Sequence, residues 1–315
     1  MFSKPDYATA DRFNWPFFLF MSVFHLVSIA AIWTFSWEGF LAGFILYLAT
    51  GSIGISFAYH RLHTHQSMSV PKWVLYAATW VACHALEGGP IFWTSTHRYH
   101  HKKSDKPLDP HSPRDGFFWA HMGWMMFLHP VLGDDAERAK ITPDLHKDPV
   151  ICWMEKYNVL IALSIFPILY AIGYALGGPD KGLSLLIWGG FLRVVVVWHV
   201  TWMINSATHK WGYRNYDTYE DSTNNPLIAL FSFGEGWHNN HHGDQRSGVF
   251  GHRWFEFDYT YVTLIWPLMK LGLVTKLIRP KNANFDKPVI VTESDEPDVI
   301  PSSAGMPPLK PVSSV

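Results

Sequence analysis

The stretch Gly234-Glu235-Gly236-Trp237-His238-Asn239-Asn240-His241-His242 contains three histidines in the pattern H-x-x-H-H. On an α-helix, residues three and four positions ahead of the first lie on the same face, so this spacing predicts that the three imidazoles converge on one point. The pattern recurs at residues 97–101, and a third cluster, His-Arg-Leu-His-Thr-His, covers residues 60–65. We interpret the rest of the chain as a scaffold that brings these three clusters together.

Clusters of this kind are not expected by chance. With 18 histidines in 315 residues, random placement gives roughly 0.06 H-x-x-H-H patterns in the chain. The alternative interpretation is a histidine-rich tag or a loose metal-binding tail. That interpretation does not fit clusters separated by long hydrophobic segments, so the clusters indicate one folded site.

The composition indicates a membrane protein, and a length of 315 residues allows one large domain or two domains of ordinary size. Hydrophobic residues make up 48% of the chain and charged residues only 16%, against about 25% in soluble domains. The 16 tryptophans suit positions at a membrane interface. The net charge of −1 provides no basic surface, so no nucleic-acid partner is expected.

Four uncharged or nearly uncharged segments predict two transmembrane hairpins. Residues 15–35 and 40–59 form the first hairpin, because about 20 apolar residues cross a bilayer. Residues 158–176 and 183–204 form the second, and its last span contains Arg193, which should face the protein interior and have a partner. The alternative, buried helices of a soluble protein, is disfavoured by back-to-back segments of this length.

The predicted fold is an all-α integral membrane protein with four transmembrane helices and a helical cytosolic cap that carries the histidine boxes. The boxes begin where spans end, and residues 102–149 are rich in lysine and arginine, which marks the cytosolic side of a bacterial inner membrane or the endoplasmic reticulum. Residues 1–14 are predicted to be a cytosolic segment, 15–280 the membrane domain, and 281–315 a disordered tail. Residues 70–93 are interpreted as an interfacial or shallow re-entrant helix.

The number of histidines indicates two metal ions. Imidazole suits zinc, copper, iron and nickel, and one structural zinc needs only four ligands. The chain offers eight or nine histidines in registered clusters. Neutral ligands leave the metal charge uncompensated and favour oxide, hydroxide or peroxide as further ligands, which points to a dinuclear iron site for oxygen chemistry. Hydrolytic dinuclear zinc is the second choice, but such sites usually include a carboxylate, which the cores of the boxes lack.

The first box has an unusual spacing. His60 and His65 are five residues apart, about 140° around an α-helix, so they do not share a narrow face. They reach one site only if the helix end unwinds, and otherwise they hold different metals. His63 lies nearly opposite this pair and is a weaker candidate ligand. Histidines outside the boxes have no motif and are interpreted as ordinary interior or surface residues.

The boxes resemble those of the membrane fatty acid desaturases, and the resemblance covers residues from about 15 to about 275. The segment Thr-Trp-Met-Ile-Asn-Ser-Ala-Thr-His at residues 201–209 resembles one typical of the acyl-CoA (stearoyl-CoA, delta-9 type) desaturase branch. The family implies a di-iron centre held by nine histidines, with an asparagine linked through a water. Carried over position by position, the implied ligands are His60, His65, His97, His100, His101, His209, His238, His241 and His242, with Asn205 as the water-linked group.

The resemblance also implies the reaction and its partners. The expected reaction is oxygen-dependent desaturation of a saturated long-chain fatty acyl chain, with a cis double bond at the delta-9 position. Two iron ions and molecular oxygen are the expected cofactor and co-substrate. The fatty acyl substrate is linked to CoA or lipid, and a separate electron donor of the cytochrome b5 or ferredoxin type works with its reductase.

In the family, a bend in an apolar tunnel places the reacting carbons, and the matching residues here are Trp93 and Thr201. Glu87 stands where the family has a glutamine, and His63 where the family has an apolar or small polar residue. Trp93 has the alternative interpretation of a membrane-interface anchor.

Two rival functions remain from the sequence. One is a related histidine-box hydroxylase acting on alkanes, sterols or carotenoids, against which the Thr-Trp-x-x-Asn-Ser-Ala segment argues. The other is a metal transporter with histidine ligands. Transport sites normally lie near the bilayer midplane, whereas these boxes sit at the ends of the predicted spans.

Overall fold

The computed structural model describes residues 4–281 and 289–291, and this part of the chain is mostly helical. The α-helices are α1 (Trp15–Ser28), α2 (Trp37–Leu48), α3 (Lys72–Cys83), α4 (Pro90–Lys103), α5 (Phe117–His121), α6 (Asp135–Ile141), α7 (Pro149–Leu163), α8 (Ile165–Leu185), α9 (Arg193–Ser206), α10 (Pro226–Phe231), α11 (His238–Gly243) and α12 (Trp266–Lys270). Wider π-helical segments cover Ala49–Thr64, Leu186–Leu192 and Tyr261–Ile265. Short 3₁₀ turns cover Ala10–Arg12, Ile29–Ile32, Pro113–Asp115, Gly123–Met126 and Leu145–Lys147.

Two strands of two residues each are the exception to the predicted all-α fold. They are β1 (Tyr216–Asp217) and β2 (Val289–Ile290), which pair in parallel. β2 lies inside the tail predicted to be disordered, of which the structure describes residue 281 and residues 289–291. The other residues of that predicted tail lie outside the described residues.

Three helical stretches among the described residues are long and apolar enough to cross a membrane: Trp15–Ile32, Trp37–Thr64 and Pro149–Ser206. The first covers residues 15–32 of the predicted span 15–35, and the second covers the whole predicted span 40–59. The third is 58 residues long, far more than the roughly 20 residues that one crossing needs.

The chain reverses direction inside this third stretch. Gly177 and Gly178 leave the helical conformation, and Gly178 adopts a φ of 79°, which glycine takes without the steric cost of a Cβ. A Cβ on Gly173 would lie 2.8 Å from the Cα of Gly182, so the segments on either side of the reversal pack closely. The stretch therefore consists of two antiparallel helical segments, as the second predicted hairpin requires.

The long stretches expose large apolar side chains and bury others between helices. Ile32 is 74% exposed and Leu160 is 66% exposed, a surface that is unfavourable in water and suits contact with lipid. Two apolar cores lie inside the molecule. One surrounds the π-helical segment Ala49–Thr64 and α3, and the other lies between α1, α8 and α9.

Arg193 is buried at the start of α9, and its partner is a helix end rather than a carboxylate. Its Nη1 donates a hydrogen bond to the carbonyl of His84 at 2.5 Å. The indole N–H of Trp198 donates to the carbonyls of Ala85 and Leu86 at 3.0 and 3.1 Å. These carbonyls follow the last residue of α3, where carbonyl groups have no N–H partner within the helix and need other hydrogen-bond donors. The predicted partner of Arg193 is thus the carbonyl end of α3.

The segment 70–93 is not one helix. α3 ends at Cys83, the chain turns through Gly88 with a φ of 98°, and α4 begins at Pro90, a residue favoured in the first turn of a helix. Neither α3 nor α4 belongs to the stretches long enough to cross a membrane. The turn gives the second histidine box its own helix, α4, which packs against the π-helical segment that contains most of the first box.

Candidate metal centre

The nine histidines predicted as ligands lie in two adjacent buried clusters, and each is at most 9% exposed. Within each cluster, one ring nitrogen per histidine lies within 4.8 Å of the others. The first cluster contains His60, His65, His97, His101 and His241. The second contains His100, His209, His238 and His242.

Each H-x-x-H-H box contributes to both clusters, so the prediction that one box converges on one point is wrong. His97 and His101 join the first cluster, whereas His100 joins the second. The same division separates His238 and His242 from His241. On a helix, positions i and i+4 are about 40° apart, whereas i+3 lies on the other side of i, about 100° from i+4. One H-x-x-H-H box therefore directs histidines from a single helical turn into both clusters.

His60 and His65 reach the same cluster because the helix that carries them is wide. Residues 49–64 are π-helical, and the His65 N–H donates to the His60 carbonyl at 3.1 Å. Bonding from i to i+5 places residues five apart nearly above one another. Their rings are 4.9 Å apart. Neither alternative considered from the sequence, an unwound end or two separate metals, is needed.

Four nitrogens of the first cluster form a closed ring. Successive Nε2–Nε2 distances are 2.9 Å for His60–His97, 3.1 Å for His97–His101, 2.9 Å for His101–His241 and 3.0 Å for His241–His60. An imidazole nitrogen carries either one proton or one lone pair, so hydrogen bonds cannot satisfy two neighbours at every nitrogen. The centre of a square with such edges is about 2.1 Å from each corner, which is the usual metal–imidazole distance. The donor set therefore fits a cation.

Several ring nitrogens of the second cluster also lack a hydrogen-bond partner. The Nε2 atoms of His100 and His242 and the Nδ1 of His238 are buried without a partner, and His209 Nε2 lies 3.0 Å from His238 Nε2. The His101 and His242 rings are 4.6 Å apart, so the two clusters are immediate neighbours. Buried polar atoms are normally bonded, so the unpartnered Nε2 atoms of His100 and His242, beside the facing Nε2 atoms of His209 and His238, fit a second metal ion.

Carboxylates lie directly behind three of the histidines. The pairs are His60 with Glu235, His100 with Asp109 at 2.9 Å, and His209 with Asp105 at 2.9 Å. In each pair the histidine Nδ1–H donates to the carboxylate, which directs the Nε2 atom into the cluster. Sequence reasoning missed these acids as functional residues. The available signal was the acid inside the Gly-Glu-Gly-Trp box and two aspartates, four apart, soon after the second box.

The electrostatics of the clusters favour neutral ligands. Burial, followed by the neighbouring imidazoles, lowers the pKa well below its usual value for six of them: His65, His97, His101, His238, His241 and His242. Burial would also lower the pKa of His209, but Asp105 and Glu220 outweigh it and raise that pKa to about 9. Burial likewise opposes ionisation of Asp105, yet His209 holds the pKa of this carboxyl below its usual range. Metal binding at His209 would therefore release a proton.

A cavity of about 610 Å³ reaches the first cluster at His97. Its walls are mainly apolar, and Phe17 and Phe20 of α1 belong to them. The residues predicted from the resemblance also line it, namely Glu87, Trp93, Thr201 and Asn205. Thr201 and Asn205 lie one turn apart on α9. α9 stops at Ser206, so His209 is presented by the turn that follows the helix.

Glu87 is the polar centre of the cavity wall. Its Oε1 accepts a hydrogen bond from the Thr201 hydroxyl at 2.7 Å, and its Oε2 accepts one from the Trp93 indole N–H at 3.0 Å. Burial raises the pKa of Glu87 to about 7, although both hydrogen bonds act to lower it. The Trp93 ring lies 5.1 Å from that of His97. This position in the wall favours the substrate-site interpretation of Trp93 over a membrane-interface anchor.

Two histidines outside the predicted set behave differently. His63 lies outside both clusters, with its Nε2 2.7 Å from the Thr79 hydroxyl of α3. His111, interpreted from the sequence as an ordinary residue, is 3% exposed and lines the cavity. Its ring lies 4.2 Å from that of His100, and with His100 and Asp109 it forms a further group able to hold a metal. The only sequence signal for His111 was its position two residues after Asp109.

Comparison with known proteins identifies the family. A model of the fatty acid desaturase family matches residues 35–246, which include all nine histidines. The chain belongs to the fatty acid desaturase family. It is therefore an oxidoreductase of lipid metabolism with candidate transmembrane helices and with histidine clusters able to hold metal.

Several desaturases are similar over most of their length. The sn-2 palmitoyl-lipid 9-desaturase of Nostoc sp. (strain 36) is 38% identical over 275 residues, which cover 87% of this chain and 93% of that protein. The sn-1 stearoyl-lipid 9-desaturase of Anabaena variabilis is 40% identical, over 86% of this chain and 96% of that protein. The acyl-CoA C20 Delta5-desaturase of Anemone leveillei is 37% identical, over 85% and 83%.

Proposed function

We propose that this desaturase introduces a cis double bond, at the delta-9 position, into a saturated long-chain fatty acyl chain. The observation that carries the proposal is the pair of buried histidine clusters at one end of an apolar cavity. The names of two of the similar proteins include 9-desaturase, which supports the position of the double bond. A cavity with apolar walls suits an alkyl chain, which offers no polar group for recognition.

The nine histidines would hold two iron ions, His60, His65, His97, His101 and His241 at one and His100, His209, His238 and His242 at the other. Asn205 would act through a water. When bound, the two ions supply the oxygen-activating chemistry. The reaction removes two hydrogens from adjacent methylenes and reduces one O₂ to two waters. Two of the four electrons come from the substrate, and two come, with two protons, from an electron donor of the cytochrome b5 or ferredoxin type.

The protein side chains orient both the ligands and the substrate. Glu235, Asp109 and Asp105 hold the Nδ1 protons of their histidines, so that the Nε2 lone pairs face the metal positions. Glu87 fixes Trp93 and Thr201 in the cavity wall beside the first cluster. Because both clusters are buried, bulk water is kept away from the reacting carbons. Placement of the chain by a rigid wall supports reaction at a single carbon pair.

We further propose four membrane crossings with the active site on the cytosolic side. The reversal at Gly177 and Gly178 supports two crossings within the longest apolar stretch. The lysine- and arginine-rich residues 102–149 lie on the same side as the histidine boxes, which supports the orientation. Labelling of single cysteines placed in the predicted loops tests this topology.

The function is tested by expressing the full chain in a host that lacks its own desaturase. We expect two irons per chain after purification and a single cis isomer when the double-bond position is read by mass spectrometry. One metal per chain, or zinc in place of iron with full activity, would overturn the di-iron proposal. An alcohol as the product would replace desaturation by hydroxylation.

A further inference from the structure

α10 is a short helix that is apolar on both faces. Its sequence, Pro-Leu-Ile-Ala-Leu-Phe at residues 226–231, contains no charged or polar side chain. One face is buried and includes Ala229, which is 2% exposed. The other face exposes Leu227, Leu230 and Phe231, by 66%, 69% and 53%. An apolar face of this kind is unfavourable in water and marks a contact surface.

The last residue of α10 is bonded to a helix that is long and apolar enough to cross a membrane. The hydroxyl of Tyr47, in α2, donates a hydrogen bond to the carbonyl of Phe231. The ring of Tyr47 also lies 5.0 Å from that of Phe233. α2 belongs to the apolar stretch Trp37–Thr64, and Ile45 on this helix is 55% exposed. α10 therefore adjoins an apolar outer surface of α2.

The depth of this contact follows from the length of α2. Glu38, in the first turn of α2, forms a partly exposed ion pair with Lys181, which marks the aqueous edge on the side away from the cap. Tyr47 is nine residues further along the helix, or about 14 Å at a rise of about 1.5 Å per residue. The hydrocarbon core of a bilayer is about 30 Å thick. The Phe231 carbonyl is therefore held near the middle of the bilayer rather than at the surface on the side of the cap.

The first residues of α10 lie nearer the cap side of the membrane. Asn225, the N-cap of the helix, donates from Nδ2 to the carbonyl of Trp211 at 2.9 Å. Trp211 follows the end of α9 and is 58% exposed, and tryptophan is enriched where the hydrocarbon core meets the lipid headgroups. The six residues of α10 rise by about 9 Å, which fits within one leaflet of about 15 Å. The helix thus slants from the headgroup layer at Trp211 toward the bilayer interior at Tyr47.

α10 also supports the third histidine box. The N–H of Asn225 donates to the carbonyl of Gly236 at 2.8 Å, and the N–H of Gly236 donates to the Ser232 hydroxyl at 3.0 Å. A Cβ on Gly236 would lie 2.1 Å from the backbone nitrogen of Ala229, so the box segment packs directly on the backbone of α10. His238 follows two residues later. Because this contact is close-packed, a displacement of α10 would displace the box.

We propose that α10 is immersed in the bilayer leaflet on the side of the cap, with Leu227, Leu230 and Phe231 in contact with lipid acyl chains. The inference rests on the membrane crossing of α2 proposed above and is independent of metal and substrate. Lipid is the partner of this face because the face adjoins α2 at a depth that a water-soluble protein does not reach. The backbone agrees, since a helix end in lipid must not leave its carbonyls unpaired, and Tyr47 supplies the donor for the carbonyl of Phe231.

Spin labels measure the depth of α10. The full chain, with Cys152→Ser to remove the half-buried native thiol, is labelled at Leu230→Cys in nanodiscs of dioleoyl phosphatidylcholine; Cys83, at 1% exposed, is too buried to react. Leu41→Cys, at a residue 54% exposed on α2, is the lipid reference, and Lys102→Cys, at an exposed residue of the cap, is the aqueous control. We expect collisions with oxygen, which dissolves in lipid, to exceed collisions with a water-soluble nickel chelate by about fivefold or more at position 230, as at position 41, because water is excluded from the bilayer core. Position 102 should show the reverse.

Substitutions at Leu230 test the support of the third box. Leu230→Asp places a charge on a side chain too short to reach the headgroups, whereas Leu230→Met keeps the face apolar at similar volume. Amide hydrogen exchange over residues 234–242 is measured for both variants in the same nanodiscs. We expect exchange about tenfold or more faster in Leu230→Asp than in Leu230→Met, because displacement of α10 opens the box segment locally. If Leu230→Asp does not fold, as judged by size-exclusion elution, Leu227→Asp takes its place.

The outcomes separate immersion, support of the box and the proposed function. A label at position 230 that meets the nickel chelate as readily as one at position 102 overturns immersion. A label shielded from both reagents indicates a protein contact, such as a second copy of the chain, and overturns it as well. Equal exchange in Leu230→Asp and Leu230→Met overturns the support of the box. Failure to desaturate an acyl chain would overturn the proposed function and leave the depth of α10 unaffected.

Discussion

Glu87 is partly buried between two hydrogen-bond donors, and substitutions there separate the effect of its charge from that of its hydrogen bonds. In Glu87→Gln, the amide oxygen can accept from Trp93 and the amide NH₂ can donate to Thr201, whose hydroxyl serves either as donor or as acceptor. Glu87→Ala loses both bonds and leaves the Trp93 N–H unpartnered, at a cost of about 1–3 kcal/mol. Glutamine therefore removes the charge alone, and alanine removes the support of the wall.

The charge effect depends on pH. Burial raises the pKa of Glu87 from 4.5 to about 7, a difference equivalent to about 3 kcal/mol. The folded protein keeps the proton that the unfolded chain releases, so ionisation of Glu87 destabilises the fold. This loss of stability is absent below pH 4.5, grows between pH 4.5 and pH 7, and is complete above pH 7. Glu87→Gln should therefore match the parent near pH 4.5 and exceed it by about 3 kcal/mol above pH 7.

The assay is thermal unfolding of parent, Glu87→Gln and Glu87→Ala in detergent between pH 5 and 8, with mass spectrometry of the product double bond at neutral pH. We expect the melting temperature of Glu87→Gln to rise relative to the parent as the pH rises, with a single positional isomer kept. Glu87→Ala should produce a second isomer, because a slip of one methylene moves the chain by about 1.3 Å and misplacement near 1 Å already matters. A Glu87→Gln difference that is constant across this pH range refutes the charge argument, and an unchanged rate and isomer for Glu87→Ala refutes the support argument.

Three further changes probe the clusters and their frame. His238→Ala should reduce the iron content from two to about one per chain without loss of membrane insertion, since backbone hydrogen bonds within the spans maintain insertion. The control is His146→Ala, a substitution at an exposed histidine, and equal iron content in the two variants would exclude His238 as a ligand. Asp105→Asn should weaken metal retention at the second cluster against a chelator by about 10–100-fold, because His209 loses its orienting carboxylate; unchanged retention would contradict this role. Arg193→Met should lower stability by about 1–3 kcal/mol, because the carbonyl end of α3 loses a donor, and an unchanged melting temperature would show that another donor replaces it.

The sequence alone predicted the histidines and the helical hairpins. Spacing and repetition selected residues 97–101 and 238–242, and the resemblance added His209, which no box contains. The structure brings all of these together with His60 and His65. Uncharged length predicted the first two apolar stretches, and the interval between the predicted spans 158–176 and 183–204 predicted the reversal in the third. These features are local, so the sequence records them directly.

The division of each box between two clusters was not predictable from periodicity. An α-helix places i+3 and i+4 on the same broad face, and only the surrounding elements decide whether that face meets one metal position or two. The π-helical geometry before His65 was equally hidden, because no spacing rule distinguishes a wide helix from an α-helix in residues 49–64. Tertiary contacts also decided that His63 turns toward Thr79 rather than toward a cluster.

Three carboxylates beside the histidines supply negative charge that the imidazoles lack. Nine neutral imidazoles would not compensate the charge of the two metal ions proposed above, and a buried uncompensated charge is costly. Glu235, Asp109 and Asp105 place negative charge one hydrogen bond behind the ligands rather than on the metal positions. That arrangement would stabilise bound metal ions without occupying their coordination positions, which would stay open to other ligands. Carboxylates are therefore absent from the ligand positions of the boxes but present in the hydrogen bonds that orient the histidines.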